Sequence, residues 1–109
     1  MKTTATPKKE ISPLQIDNTA MKKAAMVVRA LNHDLRQKII RLIHANGTMT
    51  VTTIYRKIKE EQSVTSTHLA ILRHSGLVVC SRDGHYMHYS VNYKRIKEIN
   101  QFVKDLLVI

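Results

Sequence analysis

Residues 62–91 contain the pattern that most constrains the fold of this chain. A short stretch of helical periodicity with a polar side runs directly into two β-rich segments, which flank Arg82-Asp83-Gly84-His85. Asp-Gly between such segments is a strong signal for a hairpin. A short helix and an isolated hairpin are both marginal on their own. The rest of the chain is therefore expected to support this unit.

Apolar residues at helical spacing predict three helices before this unit and one after it. Gly47 and Gly76 are placed to end the second and fourth helices, because glycine accepts a left-handed backbone. Residues 48–51 are expected to form a short strand or an extended lead-in. The predicted helices begin near Asp17, near Asp34, at Val51, at Ser63 and near Tyr93.

The predicted order is α-α-(β)-α-α-β-β-α, a mainly α fold with a small β-hairpin. This is the order of a winged helix-turn-helix, in which the third and fourth helices form the pair that meets DNA. Residues 1–16 have little to bury and are predicted to be a flexible N-terminal tail. Residues 17–109 are predicted to form one winged-helix DNA-binding domain.

The fourth helix predicts a surface that suits a double helix. Advancing about 100° per residue places Thr65, Leu69 and Leu72 on one inward side. The opposite arc consists of Ser63, Ser66, Thr67, Ala70, Arg73 and His74. An α-helix fits a DNA major groove, where hydroxyl side chains reach base edges. The alternative is that these serines and threonines cap the helix and face solvent.

Two further residues of this segment are interpreted separately. Gln62 comes just before the predicted helix and is long enough for a bidentate contact with adenine. His68 falls in the middle of the inward arc, between Val64 and Leu72. It is therefore predicted to be packed and hydrogen-bonded within the domain rather than in contact with a base.

The hairpin tip is the predicted wing. Arg82 is the expected phosphate or minor-groove contact, whereas Asp83 would repel phosphate and is expected to shape the turn. Strand residues alternate between the two faces of a sheet. The return strand is therefore predicted to bury Met87, Tyr89 and Val91 and to expose Tyr86, His88 and Ser90.

The charge balance favours a polyanionic partner. Eighteen Lys and Arg against eight Asp and Glu give a formal net charge of +10, which suits DNA, RNA or an anionic membrane surface. Residues 1–16 lack the continuous apolar stretch of a signal peptide, and no run approaches the roughly 20 apolar residues of a membrane span. The chain is expected to be soluble and cytoplasmic, with no membrane partner.

Catalysis and disulfide chemistry are not expected. The chain shows no Ser/His/Asp spacing, no paired carboxylates and no glycine-rich loop for phosphates. Cys80 is the single cysteine, so no intramolecular disulfide can form. Its apolar strand predicts a small core residue, since an oxidation switch would require an exposed and activated thiol.

Four stretches together resemble the ArsR family of small winged-helix repressors. They are the ALNHDLR segment at 30–36, the helix at 51–58, the segment at 62–78 that ends in LRHSGLV, and the wing. Each is weak alone, but the four occur in order at the family's intervals. The resemblance implies a homodimer whose interface is formed by the first and last helices. It also implies an operator with two-fold symmetry.

The resemblance further implies roles for individual residues. Gln62, Ser63, Ser66 and Thr67 match positions that meet bases or phosphates. Thr67 often corresponds to a longer residue, and His85 replaces a frequent wing arginine or lysine. Histidine carries little charge near pH 7, so a contact from His85 is expected to be weaker or pH-dependent.

Many relatives sense metal ions, and the matching positions predict that this chain does not. Thr50 and Thr52 stand where one family site has thiolates, and hydroxyls cannot replace them for a soft metal. Tyr93, Arg95 and Leu106 stand where a second site has carboxylate and histidine ligands. The chain is predicted to belong to a subgroup that lacks these metal sites, and no cofactor is expected.

The resulting hypothesis is a sequence-specific transcriptional regulator, a repressor that binds a palindromic operator in double-stranded DNA as a homodimer. The predicted DNA-binding residues are Gln62, Ser63, Ser66, Thr67, Ala70, Arg73, Arg82 and His85. Arg56 and Lys57 are expected on the same positive surface. The alternatives are a winged-helix module that binds protein and a nonspecific chromosomal DNA binder.

Overall fold

The structure, a computed structural model, describes residues 13–108. Its elements are α1 (Asn18–Leu31), α2 (Asp34–Asn46), β1 (Met49–Thr50), α3 (Val51–Ile58), α4 (Gln62–His74), β2 (Val78–Asp83), β3 (Tyr86–Val91) and α5 (Tyr93–Leu106). This order confirms the predicted winged helix-turn-helix, with β1 as the short strand. Of the predicted tail, residues 1–12 lie outside the described residues. No helix within the described range is long and apolar enough to cross a membrane.

Side chains at several helix N-termini accept hydrogen bonds from backbone N–H groups that the helix leaves free. The Asp17 carboxylate accepts from Ala20 N–H at 2.9 Å, and α1 begins there. The Thr50 hydroxyl accepts from Thr53 N–H at 3.4 Å at the start of α3. Gly47, with φ of 84°, ends α2 as predicted, because glycine adopts this conformation without strain.

The three strands form an antiparallel sheet in the order β1-β3-β2. The hairpin turn is Gly84-His85 rather than the predicted Asp83-Gly84, because Asp83 pairs with Tyr86 as the last residue of β2. Gly84 has φ of 65°, and glycine at the first central position is typical of a type II′ turn. The two-residue turn places His85 at the tip of the wing.

The predicted alternation of buried and exposed residues along β3 is wrong in the middle of the strand. Val91 is buried and Tyr86 is exposed, as predicted. The residues between them are half-buried on both faces: Met87, His88, Tyr89 and Ser90. β3 is the central strand, and His88 pairs with Thr50 on one side and Ser81 on the other. The outer face is therefore partly covered by a neighbour that a hairpin alone does not provide.

One hydrophobic core is shared by α2, α3, α4 and the sheet. Its fully buried apolar side chains are Ile39, Ile43, Ile54, Leu69, Leu72, Leu77 and Val78. Full burial of one such side chain contributes roughly 1.5–3 kcal/mol relative to exposure. The inward side predicted for the fourth helix is confirmed, with Leu69 and Leu72 at its centre.

The outer helices α1 and α5 bury little of their apolar surface within the chain. Ala30 is the buried residue of α1, and Ile99 is that of α5. Ala24 of α1 is exposed, and Leu106 of α5 is 69% exposed, although both lie at the helical spacing of their helix's apolar residues. Helical spacing identifies the residues that share a face, but it does not identify what covers that face. Within residues 13–108, an apolar face along α1 and α5 is therefore left open.

Thr65 provides a test of the packing beneath α4. Its side chain is fully buried, and its hydroxyl has no hydrogen-bond partner among the described residues. Thr65→Val keeps the shape and removes the unsatisfied group, so the free energy of unfolding is expected to rise by about 1 kcal/mol. Urea denaturation measures this change.

The matched control is Thr67→Val, the same substitution at an exposed position of the same helix. It is expected to change the free energy of unfolding by less than about 0.5 kcal/mol. A loss of stability in Thr65→Val would contradict the prediction, because it would mean that the hydroxyl has a partner.

Candidate nucleic-acid interface

A short turn joins α3 to α4, the pair of helices expected to meet DNA. Lys59 ends α3 in a left-handed conformation with φ of 59°, and Glu60 N–H donates to the Tyr55 carbonyl at 3.1 Å. This conformation costs a non-glycine residue roughly 1–2 kcal/mol. The packing of both helices compensates for it, since Ile58 and Leu69 on either side of the turn are buried.

α4 begins one residue earlier than predicted, because Gln62 is its first residue rather than part of the turn. Glu61 has an extended backbone, and its carbonyl accepts from Thr65 N–H at 3.0 Å to close the first helical turn. The carboxylates of Glu60 and Glu61 lie near the positive end of the helix dipole, where negative charge is stabilising. The Gln62 side chain is exposed at this N-terminus.

The two sides of α4 differ sharply in burial. Thr65, Leu69 and Leu72 are buried, whereas every residue predicted for the opposite arc is exposed. The exposed residues of α4 are Gln62, Ser63, Ser66, Thr67, Ala70, Arg73 and His74. Their exposure follows from the 3.6-residue period, since the burial of Leu69 and Leu72 turns the other arc outward. α4 therefore presents an uncovered strip of polar and small side chains from its first turn to its last.

The Thr67 hydroxyl is already engaged within the helix. It donates to the Ser63 carbonyl at 2.9 Å, a bond to the preceding turn that threonine often makes in helices. The hydroxyl oxygen retains its lone pairs, so a partner at this position would have to donate.

The two predicted wing residues are exposed and lie at the end of the hairpin. Arg82 pairs with Met87 near the end of β2, and His85 occupies the turn. They are not part of α4, so a ligand that touches both sets must span the helix and the hairpin. Asp83, also exposed, flanks the turn as the last residue of its strand.

Hydrogen bonds from the start of α5 hold the segment that follows α4. The Asn92 side chain donates to the Gly76 carbonyl at 2.9 Å, and Asn92 N–H donates to the Leu77 carbonyl at 3.0 Å. Arg95 Nε donates to the Ser75 carbonyl at 3.3 Å. Gly76 has φ of 76°, and a Cβ there would lie 3.4 Å from Arg95 Nε. The C-terminus of α4 is therefore held by the last helix.

The charge surroundings of the Tyr89 hydroxyl include residues of both the sheet and α4. Burial raises the pKa of the Tyr89 hydroxyl, and Cys80 raises it further, whereas the positive charge of Arg73 lowers it. Cys80, predicted as a small core residue, is half-buried and pairs across the sheet with Tyr89.

A partly buried contact holds the inward side of α4 to α2. Arg36 is 8% exposed, and its Nη1 donates to His68 Nδ1 at 3.2 Å. The prediction that His68 is packed and hydrogen-bonded is thereby confirmed. Sequence reasoning missed the role of Arg36, which it noted only as part of a family motif. A basic residue within the apolar pattern of α2 is a signal for such a contact, but it does not identify the partner.

The positions of the family's metal sites have other contacts here. Thr50 caps α3, the Tyr93 hydroxyl forms a 2.6 Å hydrogen bond with His44 Nδ1, and Arg95 binds the Ser75 carbonyl. Within residues 13–108, no group of three or more His, Cys, Asp or Glu side chains is arranged to hold a metal ion.

Comparison with known proteins identifies the family. Residues 33–108 match the family model of the penicillinase repressor. The chain belongs to the penicillinase repressor family. The HTH-type transcriptional regulator MJ1325 of Methanocaldococcus jannaschii is 34% identical over 84 residues, which cover 77% of this chain and 94% of that protein. The transcriptional repressor PagR of Bacillus anthracis is 26% identical over 92 residues, which cover 84% of this chain and 92% of that protein.

A solved structure relates this penicillinase repressor family member to the ArsR proteins. The homodimeric winged helix-turn-helix DNA-binding domain Mb0332 of Mycobacterium bovis, a possible ArsR-family regulator, is 25% identical with a TM-score of 0.67. The match covers 90% of this chain and 94% of that one. The predicted resemblance to ArsR regulators is therefore confirmed. The chain is a transcriptional regulator of the winged-helix type, and its family and relatives are regulators rather than enzymes.

Proposed function

We propose that this family member is a homodimeric repressor that binds a palindromic operator in double-stranded DNA through α4 and the wing. The observation that carries the proposal is that every α4 residue predicted to bind DNA is exposed on one strip. This strip lies opposite an arc that packs into the core. A strip of short polar side chains on one helix suits the width of a major groove. Repression would follow from occupation of the operator, as the names of the family and of PagR suggest.

Each part of the interface has a separate role in the proposal. Gln62, at the N-terminus of α4, would read an adenine edge through its amide, while Ser63 and Ser66 would contact neighbouring bases or phosphates. Ala70 is small enough for the helix to approach the groove closely. Arg73 and Arg82 would neutralise phosphates on either side of the helix, and phosphate contacts supply affinity and register rather than sequence.

Further charge next to the strip supports a polyanionic ligand. Arg56 and Lys57 are exposed in the last turn of α3. His85 at the tip of the wing is exposed, and it would reach a phosphate or the adjacent minor groove. A positively charged helix pair beside a wing that exposes an arginine is an arrangement suited to DNA rather than to an apolar protein surface.

The open apolar face of α1 and α5 supports the homodimer. Met26 is 63% exposed, Phe102 49% and Leu106 69%. A groove between the two helices is lined by apolar side chains that include Ala24, Val27 and Phe102. A second copy of the chain would cover this face. The homodimeric state of the Mycobacterium bovis domain, which matches over 90% of this chain, favours this arrangement.

Selection of bound sequences from a random duplex pool tests the proposed function directly. The full chain is expected to select sequences with two-fold symmetry and to bind them about 10³-fold or more tightly than scrambled duplexes at physiological salt. Added zinc is expected to leave the selected sequence unchanged. Equal affinity for scrambled duplexes would indicate a nonspecific binder, and no affinity for any duplex would favour a protein-binding module. Either outcome would overturn the proposal.

Substitutions on the two parts of the interface should weaken operator binding in different ways. Gln62→Ala is expected to cost about 1–3 kcal/mol per half-site and to relax the preference for one base pair. Arg82→Ala is expected to weaken operator and scrambled DNA alike. It should also reduce the slope of the salt dependence by about 0.9 for each phosphate that is no longer neutralised. Fluorescence anisotropy titrations across a salt series separate the two effects.

The matched control for the charge is Arg41→Ala. Arg41 is exposed on α2 and lines a groove with Ile96 and Asn100 of α5 rather than with α4 or the hairpin. Its removal is expected to leave operator affinity and salt dependence nearly unchanged. Equal losses in Arg41→Ala and Arg82→Ala would mean that net charge, and not the wing, determines binding.

Phe102→Ser tests the dimer interface, with Val79→Ser on β2 as its control. Both wild-type side chains are 49% exposed, so the two substitutions remove similar fractions of surface on different faces. Phe102→Ser is expected to weaken dimerisation roughly tenfold or more, because covering the exposed part of a phenyl ring contributes about 1 kcal/mol on each protomer. Sedimentation equilibrium measures the dimer dissociation constant. A monomer produced by Val79→Ser alone would place the interface on the sheet instead.

A further inference from the structure

Arg36 is a buried cation whose hydrogen bonds all go to uncharged acceptors. Its Nε donates to the Ala30 carbonyl at 2.7 Å and its Nη2 to the Arg29 carbonyl at 3.1 Å. Both carbonyls belong to the last turn of α1, the negative end of that helix. Burial lowers the pKa of Arg36, and no acid among the described residues acts against this effect. The stability of this buried charge therefore depends on each of its uncharged hydrogen-bond partners.

The third partner, His68, can accept a hydrogen bond from Arg36 in only one protonation state. Arginine has donors and no acceptor, so His68 Nδ1 must accept the bond from Nη1 at 3.2 Å. This requires a neutral imidazole with its proton on Nε2. A protonated imidazole has donors on both nitrogens. Uptake of a proton by His68 would therefore remove the bond and bring two positive charges together.

The charged and titratable groups around His68 come from three elements. Arg36 faces it from α2, and the His33 ring, in the turn before α2, lies 4.9 Å from its ring centroid. Glu60 faces it from the turn before α4. The His33 Nδ1 also accepts from Arg36 N–H at 3.3 Å, so both imidazoles present acceptors to the same residue.

These surroundings favour the neutral form of His68. Burial lowers its pKa most, His33 and Arg36 lower it further, and Glu60 raises it. A group whose folded-state pKa is depressed stabilises the fold fully above its ordinary value, here 6.5. That stability is lost as the pH falls through the folded-state pKa, because the unfolded chain then binds more protons than the folded one.

We propose that the Arg36–His68 hydrogen bond makes operator binding sensitive to acid by holding α4 in position only while His68 is neutral. Arg36 binds the last turn of α1, and α1 is one of the two helices that carry the open apolar face. His68 precedes Leu69 and follows the exposed Thr67 in α4. The bond therefore connects the helix proposed for dimerisation to the helix proposed for recognition. Its loss would free α4 to shift relative to the operator, and base contacts depend on that placement. This inference rests on the proposed function.

The sign of the effect distinguishes His68 from the other histidines near the interface. His74 and His85 are exposed on α4 and the wing, so a proton gained there adds positive charge toward phosphate and would tighten DNA binding. A proton gained by His68 would weaken it. Loss of operator affinity in mild acid therefore cannot come from the exposed histidines.

His68→Asn is the matched variant, because the asparagine Oδ1 stands close to the position of Nδ1 and does not titrate. Operator affinity is measured for both proteins at about pH 7.5 and about pH 5, and the lower pH is chosen below the ordinary histidine range because burial lowers the pKa of His68. The wild type is expected to lose affinity several-fold on acidification. His68→Asn is expected to keep its affinity or to bind more tightly. Identical pH profiles for the two proteins, with specific binding by the wild type at the higher pH, would overturn the inference.

Measurements without DNA separate this inference from the proposed function. Long-range nitrogen–proton NMR spectra of the wild type should show His68 Nδ1 unprotonated at the higher pH, and a pKa of His68 below its ordinary value of 6.5. Urea denaturation should show a free energy of unfolding that falls with acidification more in the wild type than in His68→Asn. If no operator is selected at the higher pH, the proposed function fails. The NMR and urea measurements still test the Arg36–His68 hydrogen bond in that case. A protonated Nδ1 would refute the contact itself.

His68→Leu supplies a second variant should the asparagine disturb the fold. Leucine retains apolar packing and lacks the acceptor, so operator affinity is expected to be reduced at both pH values with no loss on acidification. An acid-dependent loss in His68→Leu as large as that of the wild type would overturn the proposal, because another group would then have to titrate.

Discussion

The burial of Leu69 and Leu72 is the constraint on which the rest of the molecule depends. These two side chains of α4 enter a core that α2, α3 and β2 complete with Ile43, Ile54 and Val78. Because residues along a helix rotate by about 100° per position, their burial leaves the opposite arc of α4 exposed among the described residues. The burial of one side of α4 therefore produces both the core and the exposed candidate interface.

The order of elements and the exposed strip of α4 could be predicted from the sequence because both depend on local periodicity. The turn of the wing could not. An Asp-Gly pair favours a turn at those two residues, but the sheet places Val78 opposite Val91 and thereby aligns Asp83 with Tyr86. Both valines are buried, so the core determines the register and moves the turn by one residue.

Features that depend on distant parts of the chain were inaccessible to the same reasoning. The pairing of β1 with β3 half-buries His88, and the hairpin pattern does not indicate that the predicted short strand at 48–51 pairs with the return strand. The hydrogen bond between Arg36 and His68 joins residues 32 positions apart. The apolar spacing of α1 and α5 identified a shared face, but its exposure at Phe102 appears only in three dimensions.

A neutral histidine at position 68 accepts a hydrogen bond from Arg36 without adding negative charge to α4. Leucine or a carboxylate would meet only one of these two requirements. Leucine would pack well but would leave a buried Arg36 donor without an acceptor, at a cost of roughly 1–3 kcal/mol. A carboxylate would bind the guanidinium more strongly, but it would add negative charge to the helix that is proposed to approach phosphates. Histidine accepts from Arg36 and adds no negative charge to α4. The same chemistry makes the contact reversible, because a proton on His68 converts the acceptor into a second cation.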